Sequence, residues 1–130
     1  MRANIADYDM WSPTSLGQAL KALDESPEEN RPFAGGTDLM VLLEAGGLPP
    51  GRFMNLWSLD ELRGMHLTSD AITLGALTTY SDIRSGDFLS KDYSMMVSAA
   101  KETAAIAIQN RGTLGGNIMN ASPAADLPPV

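Results

Sequence analysis

The chain has no cysteine, a single histidine and only nine basic residues among its 130. Without a thiol it can form no disulfide and can offer no thiolate to a structural zinc ion or an iron-sulfur cluster. His66 stands between Met65 and Leu67 with no second imidazole to share a metal ion, so it reads as a polar strand residue. Sixteen acidic side chains leave a net charge of −7, which repels nucleic acid and makes any bound phosphate depend on main-chain N–H groups. No uncharged stretch approaches the roughly twenty apolar residues of a membrane span. The first ten residues carry Arg2, Asp7 and Asp9 in place of a signal peptide's apolar run, so a soluble, cytoplasmic protein is expected. G-x-G-x-x-G is missing, no glycine precedes a lysine, and there is no G-x-S-x-G, which removes the usual dinucleotide, P-loop and serine-hydrolase signatures. The acidic pairs Glu28-Glu29 and Asp60-Glu61 read as solvated loop charges.

What is present is an apolar content of 44%, enough for one modest core in one domain or two small lobes, and, besides Gly46-Gly47, two glycine doublets. One lies in Phe33-Ala34-Gly35-Gly36-Thr37-Asp38, the other in Arg111-Gly112-Thr113-Leu114-Gly115-Gly116-Asn117. Glycine weakens helix and strand alike, so both doublets are expected to be tight loops. Positive φ at Gly115 and Gly116 would turn their N–H groups toward an anion, with the Asn117 amide beside them. Either doublet alone is equally well an ordinary turn; two together can grip one diphosphate. Asp126 follows a Ser122-Pro123 turn. Its carboxylate can accept from the hydroxyls of a ribose or ribityl chain, or it can cap a helix at Leu127-Pro128-Pro129, and the spacing leaves both readings open.

In chain order, a short extended piece is expected around Tyr8, then a helix over about Ser15 to Asp24. Thr14 or Ser15 would cap it, Gln18 would complete a capping box, and Leu16, Ala19, Leu20 and Leu23 would form its buried face. Arg31 to Ala34 reads as a strand entering the first doublet. Thr37 or Asp38 would cap a helix through Glu44 whose residues Leu39 to Leu43 are apolar on every side, which predicts burial, and Gly46-Gly47 would stop it. Arg52 to Leu56 reads as a strand parallel to the first, giving a βαβ unit whose helix N-terminus faces whatever the loop holds. Beyond it come a helical turn at Leu59 to Arg63, an antiparallel pair at Met65 to Thr68 and Ala71 to Leu74, and a helix capped by Thr79 and ended by Gly86. A longer helix follows from about Tyr93 to Thr103, its Ser94-Met95-Met96-Val97 piece reading as core packing. Ala104 to Ile108 then leads into the second doublet.

The strings Phe33 to Leu39, Arg111 to Ile118 and Ala121-Ser122-Pro123-Ala124-Ala125-Asp126-Leu127-Pro128, in this order and separation, closely resemble the FAD-binding (medium) subunit of the molybdenum hydroxylases. That family includes xanthine dehydrogenase and carbon monoxide dehydrogenase. The segments Tyr8 to Leu23 and Leu74 to Thr78 also fit, so the resemblance covers nearly the whole chain. It implies an α+β fold of FAD-binding type, with a small βαβ lobe at 1–56 and a second α/β lobe with a partly antiparallel sheet at 57–130, truncated relative to the family. It further implies FAD as cofactor, held by Ala34, Gly35, Gly36 and Thr37, with Phe33, Asp38 and Leu39 beside them. Thr113, Leu114, Gly115, Gly116 and Asn117 would meet the same pyrophosphate, and Asp126, with Ser122 nearby, the ribityl hydroxyls. Implied partners are an iron-sulfur subunit and a molybdopterin subunit, with self-association as a further way to complete the fold. The chain would then carry electrons from the clusters to NAD, oxygen or another acceptor, and no catalytic residue is assigned to it. The alternatives are a non-catalytic remnant that serves as an assembly module without flavin, and a binder of another nucleotide such as NAD.

Overall fold

The computed structural model describes residues 4–87 and 89–127. It divides into two compact units, Met1–Glu61 and Leu62–Val130. Among its described residues the first unit alternates three strands with two α-helices: β1 (Tyr8–Trp11), α1 (Leu16–Glu25), β2 (Arg31–Phe33), α2 (Thr37–Ala45) and β3 (Gly51–Asn55). All pairings are parallel and the order is β1-β3-β2, with Met10 beside Phe53 and Pro32 beside Met54. Successive residues of a strand point to opposite faces, and both Phe53 and Met54 are buried, so both faces of the central strand are covered. The chain crosses the sheet one way through α1 and returns through α2. With right-handed crossovers, that reversal places the two helices on opposite faces.

Local chemistry explains the ends of these helices. The Ser15 hydroxyl accepts from the Gln18 N–H at 3.1 Å, while the Gln18 side chain reaches back one residue further than a capping box requires, accepting from the Thr14 N–H at 2.7 Å. Ala19 is buried and Leu20 is exposed, contrary to the four-residue face expected for α1. The helix turns the Ala19 and Ala22 side inward, and Leu20 lies about 100° from Ala19. At the end of α2, Gly46 takes a left-handed conformation at φ 74°, and the Gly47 N–H closes onto the Leu42 carbonyl at 2.8 Å.

The expected burial of α2 is corrected: none of its residues is buried, and Met40, Val41 and Leu42 are 53%, 64% and 43% exposed. A three-stranded sheet covers one side of a helix. Apolar side chains all round α2 therefore exceed what this unit can bury. Its cap is also different, being Gly36 rather than Thr37 or Asp38.

In the second unit, β4 (Met65–Leu67) and β5 (Ile72–Leu74) pair antiparallel, and Thr68 ties the turn by accepting from the Ala71 N–H at 3.1 Å. Exposed His66 lies on β4. Five helices follow: α3 (Tyr80–Ser85), α4 (Leu89–Asp92), α5 (Ser94–Glu102), α6 (Ile106–Gln109) and α7 (Leu114–Asn120). α3 begins with a capping box, the Thr79 hydroxyl accepting from the Asp82 N–H and Asp82 accepting from the Thr79 N–H at 2.9 Å. The core gathers Tyr80, Ile83, Leu89, Val97, Ala100 and Leu127, flanked by Met96, Tyr93 and Leu114. Of the Met-rich piece, Met96 and Val97 pack inward as expected, while Met95 is exposed.

Candidate functional site

The first doublet leaves the carboxyl end of β2, the edge at which open parallel sheets receive ligands. The Phe33 carbonyl is held by the Leu56 N–H at 2.8 Å, and Ala34 and Gly35 carry the chain to Gly36 at φ 76°, a conformation that disfavours any side chain. A Cβ at Gly36 would also lie 2.2 Å from Phe33 Cζ, because the Phe33 ring turns back under the glycine and meets Phe53 edge-on. The Gly36 carbonyl accepts the first bond of α2 from the Met40 N–H at 2.8 Å. Helices α1, α3 and α7 each begin with a hydroxyl that accepts from their own first turn, but Gly36 has no side chain to do so. Among the described residues no acceptor meets the N–H groups of Gly35, Gly36 and Thr37. These donors sit at the positive end of the α2 dipole, where an anion gains about 0.3–1 kcal/mol. Asp38 lies in the first turn and is exposed, while Leu39 is half-buried.

The second doublet is built differently, and the expectation of a loop with positive φ is corrected. Gly115, Gly116 and Asn117 lie inside α7, and neither glycine has positive φ. Their N–H groups are already engaged. Leu114 donates to the Thr78 carbonyl at 2.8 Å, Gly115 to the Ala76 carbonyl at 2.8 Å, and Gly116 to the Thr113 hydroxyl at 3.1 Å. The Asn117 N–H closes the turn onto the Thr113 carbonyl at 3.0 Å. An isolated bridge between Thr79 and Thr113 adds to this seam. The helix forms despite two glycines because tertiary hydrogen bonds outweigh a propensity deficit of about 1 kcal/mol each. Gly115 is required for approach: a Cβ there would stand 2.7 Å from the Ala76 carbonyl oxygen. Neither Gly35 nor Gly116 shows such a contact, or a positive φ, among the described residues. Each doublet thus holds one glycine that the fold demands and one that it does not.

The Asn117 side chain also has an internal duty, its Oδ1 accepting from the Leu127 N–H at 3.4 Å. That bond ties α7 to the segment that follows Ala121, whose φ of 50° ends the helix. Ser122 organises a turn, accepting from the Ala124 N–H at its hydroxyl and from the Ala125 N–H at its carbonyl. Asp126 is exposed, with Oδ2 at 3.2 Å from the Thr103 hydroxyl, while Leu127 is buried in the core. The helix-cap reading of Asp126 involves Pro128 and Pro129, which lie outside the described residues. Within the second unit, Thr113 to Asn117 and Ser122 to Asp126 are brought together by the Asn117 bond.

Two features escaped the sequence reading. The Thr78 hydroxyl, one residue from the seam that anchors α7, is buried with no hydrogen-bond partner among the described residues. The Gln109 amide is buried beneath the end of α5, and its only sequence signal was a polar residue closing the apolar run Ile106-Ala107-Ile108.

The chain belongs to the family described as the FAD binding domain in molybdopterin dehydrogenase, which it matches over residues 6–130. Its cofactor is FAD. It is 37% identical over 116 residues to the glyceraldehyde dehydrogenase medium chain of Sulfolobus acidocaldarius, covering 89% of this chain and 41% of that one. To the caffeine dehydrogenase subunit beta of Pseudomonas sp. (strain CBB1) it is 32% identical, covering 95% and 42%. The fold matches a chain of reconstituted CO dehydrogenase from Oligotropha carboxidovorans with a TM-score of 0.87 and 28% identity, covering 93% of this chain and 42% of that chain. The chain thus spans about two fifths of the length of these relatives. No helix among the described residues is long and apolar enough to cross a membrane.

The residues present fit a flavin dinucleotide. The donors at the start of α2 suit a pyrophosphate, and Gly35 beside them presents a bare Cα surface that no neighbour in the described residues explains.

Proposed function

We propose that this chain is the flavin-holding part of a molybdenum-hydroxylase-type oxidoreductase, standing between the iron-sulfur clusters of one partner subunit and a terminal acceptor, with a molybdopterin subunit as the other partner. Bound FAD supplies reversible redox chemistry that no side chain here can supply. The chain's own work is binding and orientation. Gly35, Gly36 and Thr37 donate main-chain N–H groups to a pyrophosphate oxygen, with Ala34, Phe33, Asp38 and Leu39 shaping that edge. Gly116 lets the ligand approach α7 closely, and Thr113, Leu114 and Gly115 hold that helix in place. The Asn117 amide, whose Oδ1 accepts from the Leu127 N–H, has its Nδ2 to donate, and the Asp126 carboxylate accepts from ribityl hydroxyls, with Ser122 fixing the preceding turn.

The observation that carries this reading is the set of main-chain N–H groups at Gly35, Gly36 and Thr37 that no acceptor among the described residues meets, at a helix start with no capping side chain. Main-chain donors also fit a protein with net charge −7, because they bind phosphate without lysine or arginine. Purified chain incubated with FAD and freed of excess ligand should be yellow, with the absorption bands of an oxidised flavin and a raised melting temperature. A colourless protein that FAD does not stabilise refutes the proposal, and stabilisation by NAD in its place would transfer the site to another nucleotide.

A further inference from the structure

A buried polar network of the second unit reaches Asp126 through Thr103. Gln109, only 4% exposed, places its Nε2 at 2.8 Å from the Thr103 carbonyl and 3.2 Å from those of Lys101 and Ala104. Its Oε1 accepts from Arg84 Nη1 at 2.6 Å, which sets the direction of the amide. The end of α5 is thereby clamped, including Ala104 at φ 46°, a left-handed conformation uncommon for a residue with a Cβ. Thr103, 7% exposed, stands at the centre of the clamp. Its hydroxyl has one proton and faces two acceptors, the Ala99 carbonyl at 2.8 Å and Asp126 Oδ2 at 3.2 Å. No other side chain among the described residues bonds to the Asp126 carboxylate. The backbone beside it is pinned independently by buried Leu127 and its bond to Asn117.

We infer that Thr103, immobilised by Gln109, is a positioning residue that aims the Asp126 carboxylate, engaging Oδ2 so that Oδ1 faces the ligand hydroxyl. The inference rests on the proposed role of Asp126 in holding FAD. An exposed carboxylate left alone samples several rotamers, and each ligand encounter must then order it again. A buried hydroxyl that shares its proton between the Ala99 carbonyl and Asp126 Oδ2 narrows that sampling and lowers the cost.

The test is a double-mutant cycle on the purified chain, reading the FAD dissociation constant and, separately, the melting temperature without ligand. Asp126→Ala should weaken FAD about tenfold or more, as loss of a charged acceptor does. Thr103→Val, close in shape but without the hydroxyl, should weaken FAD about threefold to tenfold. Thr103→Ser should restore wild-type affinity. In the Asp126→Ala background, Thr103→Val should have no further effect on FAD. An equal effect of Thr103→Val in both backgrounds, or no rescue by serine, assigns Thr103 a structural role only and overturns the inference. Unchanged affinity in Thr103→Val while Asp126→Ala weakens binding overturns the inference but leaves the role of Asp126 intact. Wild-type affinity in Asp126→Ala removes Asp126 from the site, and a wild-type chain that takes up no FAD removes the site itself.

Discussion

The two glycine doublets look alike in the sequence, and the fold uses them in opposite ways. At Gly35-Gly36 the chain turns through a left-handed residue and leaves the donors of α2 open. At Gly115-Gly116 the doublet lies within a helix whose first N–H groups are spent on the Ala76 and Thr78 carbonyls and the Thr113 hydroxyl. The first is a set of open main-chain donors at a helix start. The second is a closely packed seam whose contribution is bare surface. The same dipeptide therefore supplies conformational freedom in one setting and clearance in the other. What separates them is the neighbour: an aromatic ring under Gly36, a main-chain carbonyl against Gly115.

The largest expected effect comes from Gly115→Ala. The added Cβ meets main chain at 2.7 Å, which a side-chain rotation cannot relieve, so denaturant unfolding should show a loss of about 3 kcal/mol. Gly36→Ala should cost about 2 kcal/mol, from the left-handed backbone and the displaced Phe33 ring, and Gly36→Asn should recover part of it. If Gly115→Ala proves neutral, the seam is not as tight as its hydrogen bonds imply. Thr113→Val should cost about 1 kcal/mol by removing the cap of α7 and freeing the Gly116 N–H. The smallest stability effect carries the sharpest sign. Gly116→Ala should raise stability by up to about 1 kcal/mol, as alanine does in a helix, while weakening FAD in a titration followed by flavin fluorescence. Tighter or unchanged FAD binding in that variant would mean that Gly116 is not where the ligand approaches.

Where structure follows from a residue and its next three or four neighbours, it was legible. Ser15 and Thr79 cap their helices because a hydroxyl one turn from a free N–H needs nothing more, and Gly46 stops α2 for an equally local reason. The hairpin of β4 and β5 followed from two strand-like runs with Ser69-Asp70 between them. The misreadings share one cause. The sequence of α7 reads as a loop because its glycines are poor helix formers, yet the Ala76 and Thr78 carbonyls that stabilise it lie far away in sequence. The sequence of α2 reads as buried because its residues are apolar, but burial depends on how much surface the rest of a unit can cover. Thr103 gave no signal and Gln109 only that of a polar residue closing an apolar run, since a lone threonine and a lone glutamine acquire meaning only when carbonyls and a carboxylate converge on them.

From the sequence alone came the family, the FAD cofactor it implies, the alternation of strand and helix in the first unit, and the ends of α1 and α3. These rest on residue order and on interactions within a few positions. Only the tertiary structure decided that one doublet keeps its N–H groups open while the other spends them, and that Thr103 faces Asp126. Those outcomes depend on which distant carbonyls and side chains come within about 3 Å, the range at which a hydrogen bond acts.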